Sequence, residues 1–155
     1  MKGNDQIIVQ LNARLADELT AINQYIVHAE MCENWGYAQL HAAQKKRAIE
    51  EMKHAEELIA RILFLEGRPT VSKLNKIQIG PDVEKQHKND CKSETQAVKD
   101  YNTDIRLAAK LGDNGTRELL EAILKDEETH LDWLEAQIEQ IKQMGIQNYL
   151  VEQTG

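Results

Sequence analysis

Residues 51–62 read EMKHAEELIARI, and 76 positions further on residues 127–138 read EETHLDWLEAQI. Glu51 and His54 return as Glu127 and His130, and Leu58 and Ile62 return as Leu134 and Ile138. Steps of three and four residues put all four positions of each stretch on one helix face. A carboxylate and an imidazole therefore interrupt an apolar stripe, and they point the way the stripe points, inward. The same shift takes Glu18 to Glu94, Ala21 to Ala97 and Tyr25 to Tyr101. One template carried by two helix pairs predicts a site with pseudo-two-fold symmetry.

The flanking sequence extends these stripes into long helices. Asn4 is placed to cap a first helix over about 5–35, with Ile8, Leu11, Leu15, Ile22, Ala29 and Cys32 at helical spacing and Gly36 at its end. A second helix is expected over about 37–66, with Leu40, Leu58, Ile62 and Leu65 on its buried stripe and Gly67-Arg68-Pro69 as the stop. Asp82 caps a third over about 83–111. The turn Gly112-Asp113-Asn114-Gly115 leads to a fourth over about 114–144, with Leu120, Ile123, Leu124, Leu131 and Ile141 on its stripe. After Gly145 there is room for one short helix, 146–152. Four helices of this length each span about 45 Å. The connection at 67–82 is too long for a tight turn and reads as a crossover along the bundle. The expected fold is all-α, a four-helix bundle with a long crossover between helices 2 and 3 and a short C-terminal fifth helix. One domain is expected over 1–155.

Composition agrees. Two prolines and eight glycines in 155 residues leave long unbroken stretches, and helix formers dominate. A net charge of −7 argues against nucleic-acid binding, which draws on Lys and Arg. Cys32 and Cys91 form no Cys-x-x-Cys pair, so neither a zinc ribbon nor an iron–sulfur module is encoded. Both read as buried free thiols, which suits a reducing, cytoplasmic setting. No signal peptide and no membrane span are expected.

The chemistry lies in the inward polar set: Glu18, Glu51, Glu94 and Glu127 with His54 and His130, beside the phenols Tyr25 and Tyr101. Each lies near the middle of its helix, the height at which antiparallel helices bring such positions together. Four buried carboxylates need positive partners, because each unpaired ion costs several kcal/mol in desolvation. Two divalent cations balance them. One Glu from each of two helices, with Glu-x-x-His from each of the other two, is a di-metal carboxylate arrangement. Oxygen and imidazole donors suit iron or manganese. A third Glu-x-x-His, Glu84 and His87, has no copy 76 residues earlier, where Ile8 and Leu11 stand. It reads as the surface of a helix start. Met52 follows Glu51, about 100° around the helix, and so faces outward.

These residues resemble the bacterioferritins over nearly the whole chain. Glu18, Glu51-Met52-x-His54, Glu94 and Glu127-x-x-His130 carry the likeness, with Leu65-Glu66-Gly67, Asp132-Trp133-Leu134 and the ending from Met144 to Leu150. The resemblance implies a ferritin-like fold and a ferroxidase: two irons per subunit, with Glu51 and Glu127 bridging them. Glu18 and His54 complete one coordination sphere; Glu94 and His130 complete the other. Tyr25 assists electron transfer. Fe(II) is oxidised by dioxygen or hydrogen peroxide and stored as a ferric mineral.

The resemblance further implies that Met52 from each of two subunits binds one shared b-type haem, lined by Ile22, Ile26 and Ile49. That haem would help return iron as Fe(II), with electrons from a small ferredoxin. The assembly implied is a homo-oligomeric shell of 24 subunits. Asn34, Glu66, Asp132 and Glu139 match channel-lining positions. Lys46 and Glu50 stand where some members carry a His and an Asp, and a protonated Lys46 does not ligate iron. An alternative reading is a di-iron oxidase or peroxidase that stores no iron.

Overall fold

The computed structural model describes residues 1–155. It contains five helices and no strand: α1 Asp5–Asn34, α2 Ala38–Phe64, α3 Val83–Lys110, α4 Asn114–Met144 and α5 Ile146–Val151. The all-α four-helix bundle with its short fifth helix is as expected.

Side chains set the helix starts. Asn4 accepts from the amide of Gln6 (2.8 Å), Asp82 from that of Lys85 (2.8 Å) and Asp113 from that of Thr116 (3.0 Å). Each satisfies an amide that has no partner within its helix. α1 and α3 end on left-handed glycines, Gly36 and Gly112. At the end of α2 the left-handed residue is Glu66, at φ 62°, and the helix stops at Phe64, two residues short of the expected 66. Gly67 is required for a different reason. A Cβ there would lie 2.8 Å from Cγ2 of Ile8, so the chain could not pass so close to α1 with a larger residue.

The crossover between α2 and α3 runs back along α1, and polar side chains of α1 hold its backbone. The amides of Thr70, Asn75, Gln78 and Gly80 donate in turn to Asn12, Thr20, Gln24 and His28. These acceptors climb one face of α1, so the strap rises as α1 rises. α3 consequently starts beside the end of α1 and runs antiparallel to it. Arg14 pairs with Asp104 at 3.1 Å and His28 Nδ1 lies 3.0 Å from Asp90, tying α1 to α3. These contacts obey the 76-residue shift with the partners exchanged, since Arg14 corresponds to Asp90 and His28 to Asp104.

The apolar core falls into two parts. The larger holds Leu11, Leu15, Leu58, Ile62, Leu120 and Ile123; the smaller, at the other end, holds Cys32, Leu40, Val83, Ile141 and Tyr149. Between them lies a thick polar layer of buried Glu, His, Gln, Arg and Asp side chains. Such a layer is tolerable only where its groups are paired or bound.

Two expectations are corrected here. His87 is not a surface residue: it is fully buried. The inward stripe of α3 runs Val83, His87, Asp90, Glu94, and α5 folds over its first turn. His87 Nε2 lies 3.0 Å from the Tyr149 hydroxyl, which donates to Gln137. Glu84 does face outward and pairs with Lys88. Cys91 is only half-buried, whereas Cys32 is buried as expected.

Burial pushes the His87 imidazole down to about 4, against the pull of nearby Asp90 and with Arg47 and His28 adding to the depression. The unfolded chain, with an ordinary histidine, binds this proton below pH ~6.5, while the folded chain stays neutral to about 4. Stability is therefore complete above pH ~6.5 and is lost as the pH falls between these values. The loss reaches about 2 kcal/mol by pH 5. Urea unfolding of wild type and His87→Gln at pH 7 and pH 5 is expected to show the wild type losing more by about that amount. Equal losses would exclude His87 as the source.

Candidate metal centre

Glu18 of α1, Glu51 and His54 of α2, Glu94 of α3, and Glu127 and His130 of α4 meet in the polar layer, each at most 3% exposed. The helix stripes bring them there: Leu15 precedes Glu18 on α1, Leu58 follows His54 on α2, Tyr101 follows Glu94 on α3, and Ile123 and Leu134 flank the pair on α4, all of them buried. Their ligand atoms fall into two groups. Glu18, Glu51, His54 and Glu127 offer atoms within 4.8 Å of one another, and so do Glu51, Glu94, Glu127 and His130. Glu51 and Glu127 belong to both groups. The other four residues divide one carboxylate and one imidazole to each side, which is the pseudo-two-fold symmetry expected from the repeat. On α4 His130 is inside, whereas Leu131 is only half-buried.

Each of the six residues has one buried polar atom without a hydrogen-bond partner: Glu18 Oε2, Glu51 Oε1, His54 Nδ1, Glu94 Oε2, Glu127 Oε1 and His130 Nδ1. Proximity alone does not satisfy them. His54 Nδ1 lies 3.1 Å from Glu127 Oε1 and 3.5 Å from Glu51 Oε1, but the angles are not those of hydrogen bonds. Six orphaned donor atoms aimed at two adjacent points fit two divalent cations, with an N/O donor set that suits iron or manganese.

The charge balance is strained without them. Burial, then repulsion from Glu18 and Glu94, pushes the Glu51 and Glu127 carboxyls well above the usual range. Burial would also raise Glu94, but His130 and Glu127 hold it below the ordinary value. Burial acts to lower His54, and the carboxylates of Glu127, Glu18 and Glu51 overcome it and hold the imidazole protonated far above its normal range. His130 is likewise held up, burial being overcome mainly by Glu94. Metal binding at such a cluster is coupled to the release of protons from its imidazoles and carboxyls.

The other oxygens of the terminal carboxylates are held by phenols. The Tyr25 hydroxyl donates to Glu94 and the Tyr101 hydroxyl to Glu18, again in symmetry. Burial, and then the facing carboxylate, raises both phenols well above their usual range, so both remain donors. Their surroundings differ. The Arg47 guanidinium stacks 4.3 Å over the Tyr25 ring, whereas Tyr101 packs in the larger apolar core. Arg47 in turn pairs with Asp90 at 2.8 Å, and Asp90 also holds His28 and Gln24. These pairs hold Asp90 ionised in spite of its burial. Sequence reading missed this network. Its signal was the polar residues Gln24, His28, Arg47 and Asp90 at inward helical positions.

Two cavities reach the centre. One of about 360 Å³ opens between α1 and α3 and includes Glu18, Tyr25, Glu51, Glu94 and Glu127, with Asn75 and Lys76 of the crossover among its other walls. The other, about 320 Å³, opens between α2 and α4 and is lined wholly by polar residues, including His54.

A family model described as Ferritin-like domain matches residues 8–144. Over 149 residues the chain is 41% identical to Bacterioferritin of Rhodobacter capsulatus, covering 96% of this chain and 92% of that protein. The chain belongs to the bacterioferritin family. Other members are similar over the same span: Bacterioferritin of Brucella melitensis biotype 1 at 38% identity, covering 96% of this chain and 92% of its own, and Bacterioferritin BfrA of Mycobacterium tuberculosis strain H37Rv at 36%, covering 96% and 94%.

Met52 is 46% exposed, and Ile26 and Ile49 are similarly exposed. Ile22 differs: it is half-buried and packs against the larger apolar core. Ile49 also borders a shallow pocket with His41, Lys45, Lys46, Glu50 and Lys53. Three lysines there make it a poor cation site. No helix is long and apolar enough to cross a membrane.

Proposed function

We propose that this chain is a subunit of an iron-storing shell and a ferroxidase. The observation that carries the reading is the set of six orphaned atoms, one from each of Glu18, Glu51, His54, Glu94, Glu127 and His130. Glu51 and Glu127 serve both metal positions, Glu18 and His54 complete one, and Glu94 and His130 the other. Iron bound there supplies one electron per ion. Hydrogen peroxide accepts two electrons and, with two protons, leaves as two waters; dioxygen accepts two and leaves, with two protons, as hydrogen peroxide. The protein's part is to hold the ligands against the repulsion of both oxidation states. Tyr25 assists electron transfer; its hydrogen bond to Glu94 and the Arg47 guanidinium over its ring support that role.

The family supports the rest of the reading: a homo-oligomer of 24 subunits in the cytoplasm, a mineral core inside, and a b-type haem shared by two subunits. Met52 is its axial ligand, and Ile22, Ile26 and Ile49 line it. A small ferredoxin supplies electrons for release. Met52→Leu is expected to lose haem, read from the Soret absorbance per subunit, while rapid Fe(II) oxidation persists. Full haem content in that variant would exclude Met52 as the axial ligand.

Stepwise Fe(II) addition to metal-free protein in air tests the main claim. A fast phase that saturates near two irons per subunit, followed by slower growth of a soluble ferric core, is expected. Oxidation that stops at two irons, or further iron that precipitates outside the protein, would favour an oxidase or peroxidase without storage.

A further inference from the structure

The 76-residue repeat extends one step beyond the metal ligands. Glu50 corresponds to Asp126, just as His54 corresponds to His130. In the fold these four residues pair crosswise. Asp126 Oδ2 of α4 lies 2.8 Å from His54 Nε2 of α2, and Glu50 Oε2 of α2 meets His130 Nε2 of α4. Each histidine thus has its remote nitrogen on a carboxylate of the opposite helix, while its Nδ1 faces the centre.

We propose that Glu50 and Asp126 are positioning residues of the metal centre, each fixing the tautomer and the ring plane of the opposite helix's histidine. The inference rests on the metal-centre reading above. A neutral imidazole carries one N–H. With that proton at Nε2, donated to the carboxylate, the Nδ1 lone pair is bare and directed at a metal. A carboxylate on the remote nitrogen also raises the basicity of the ligating one. The crosswise pattern adds a constraint that neither helix supplies alone: each ring is held between its own backbone and a neighbour's side chain. The two carboxylates sit in the rim of the polar cavity between α2 and α4, together with Lys53, Glu57 and Thr129. Glu50 also borders the shallow pocket that Lys45, Lys46 and Lys53 line.

Anaerobic titration with Co(II), followed by its visible d–d absorption, tests this without turnover. Wild type is expected to bind two Co(II) per subunit. Asp126→Ala and Glu50→Ala are expected to bind about 10–100-fold more weakly, with altered d–d bands. Asp126→Asn and Glu50→Gln keep an acceptor oxygen but lose the charge, and should retain the wild-type bands with affinity much nearer wild type. Both side chains reach solvent, so the substitutions leave the fold intact; Lys53→Ala, in the same rim but bonded to neither histidine, is the control and should not change the bands. Alanine variants that match wild type in affinity and bands would overturn the positioning role alone. Amide variants as weak as the alanine ones would overturn it in favour of simple charge attraction. A wild type that binds no Co(II) pair would overturn the metal-centre reading itself.

Discussion

Glu51→Ala is expected to slow the fast phase of Fe(II) oxidation far more than Glu18→Ala does. Glu51 belongs to both candidate ligand groups, whereas Glu18 belongs to one. Removing Glu51 leaves both ions short of a donor and leaves His54 and His130 facing unbalanced charge. A loss on the order of 100-fold or more is expected, against about 10-fold for Glu18→Ala, on the scale at which even outer partners of metal ligands matter. Stopped-flow absorbance at two Fe(II) per subunit would measure both. Equal losses would mean that Glu51 does not bridge, and that the site is two separate mononuclear positions.

The second large effect concerns stability. Asp90 is fully buried and holds three groups at once: Arg47 at 2.8 Å, His28 at 3.0 Å and Gln24 at 2.8 Å. Asp90→Ala strands a buried guanidinium, and it frees His28, which receives the Gly80 amide of the crossover. Breaking a buried pair from one side costs about 3–5 kcal/mol. The double variant Asp90→Leu with Arg47→Met removes both charges together and should recover a large part of that loss. By contrast, breaking the exposed pair Glu84–Lys88 should change stability by less than ~0.5 kcal/mol. Denaturant midpoints of the variants decide it. An Asp90→Ala variant within 1 kcal/mol of wild type on this order-of-magnitude scale would show that Arg47 finds another partner or water.

The ligand set was legible because it repeats. Glu18, Glu51, His54, Glu94, Glu127 and His130 interrupt apolar stripes at matching positions, and an interruption that occurs twice 76 residues apart is hard to assign to chance. Met52 was legible as outward for the same geometric reason, one residue off the stripe. The repeat was under-read at Glu50 and Asp126. Their spacing from the histidines is also constant, but each acts on the histidine of the other helix, and a pattern within one helix does not reveal a partner on another. His87 was misread because its Glu-x-x-His lacked a copy. Burial of a helix start depends on what folds over it, and here a six-residue helix does so through Tyr149, 62 positions from His87.

The sequence by itself determined the helices, their order, the long crossover and the inward set of six candidate ligands. Helical period and chain-breaking residues are local, and hydrophobic burial leaves one face to each stripe. Only the tertiary structure decided which atoms of those six residues are left without partners, which carboxylates fall in both groups, and that Arg47 and Asp90 pair in the interior. Those outcomes depend on distances between helices of a few ångströms. Electrostatic pairing in a low-dielectric interior changes steeply over such distances, while the spacing of residues along one helix is indifferent to them.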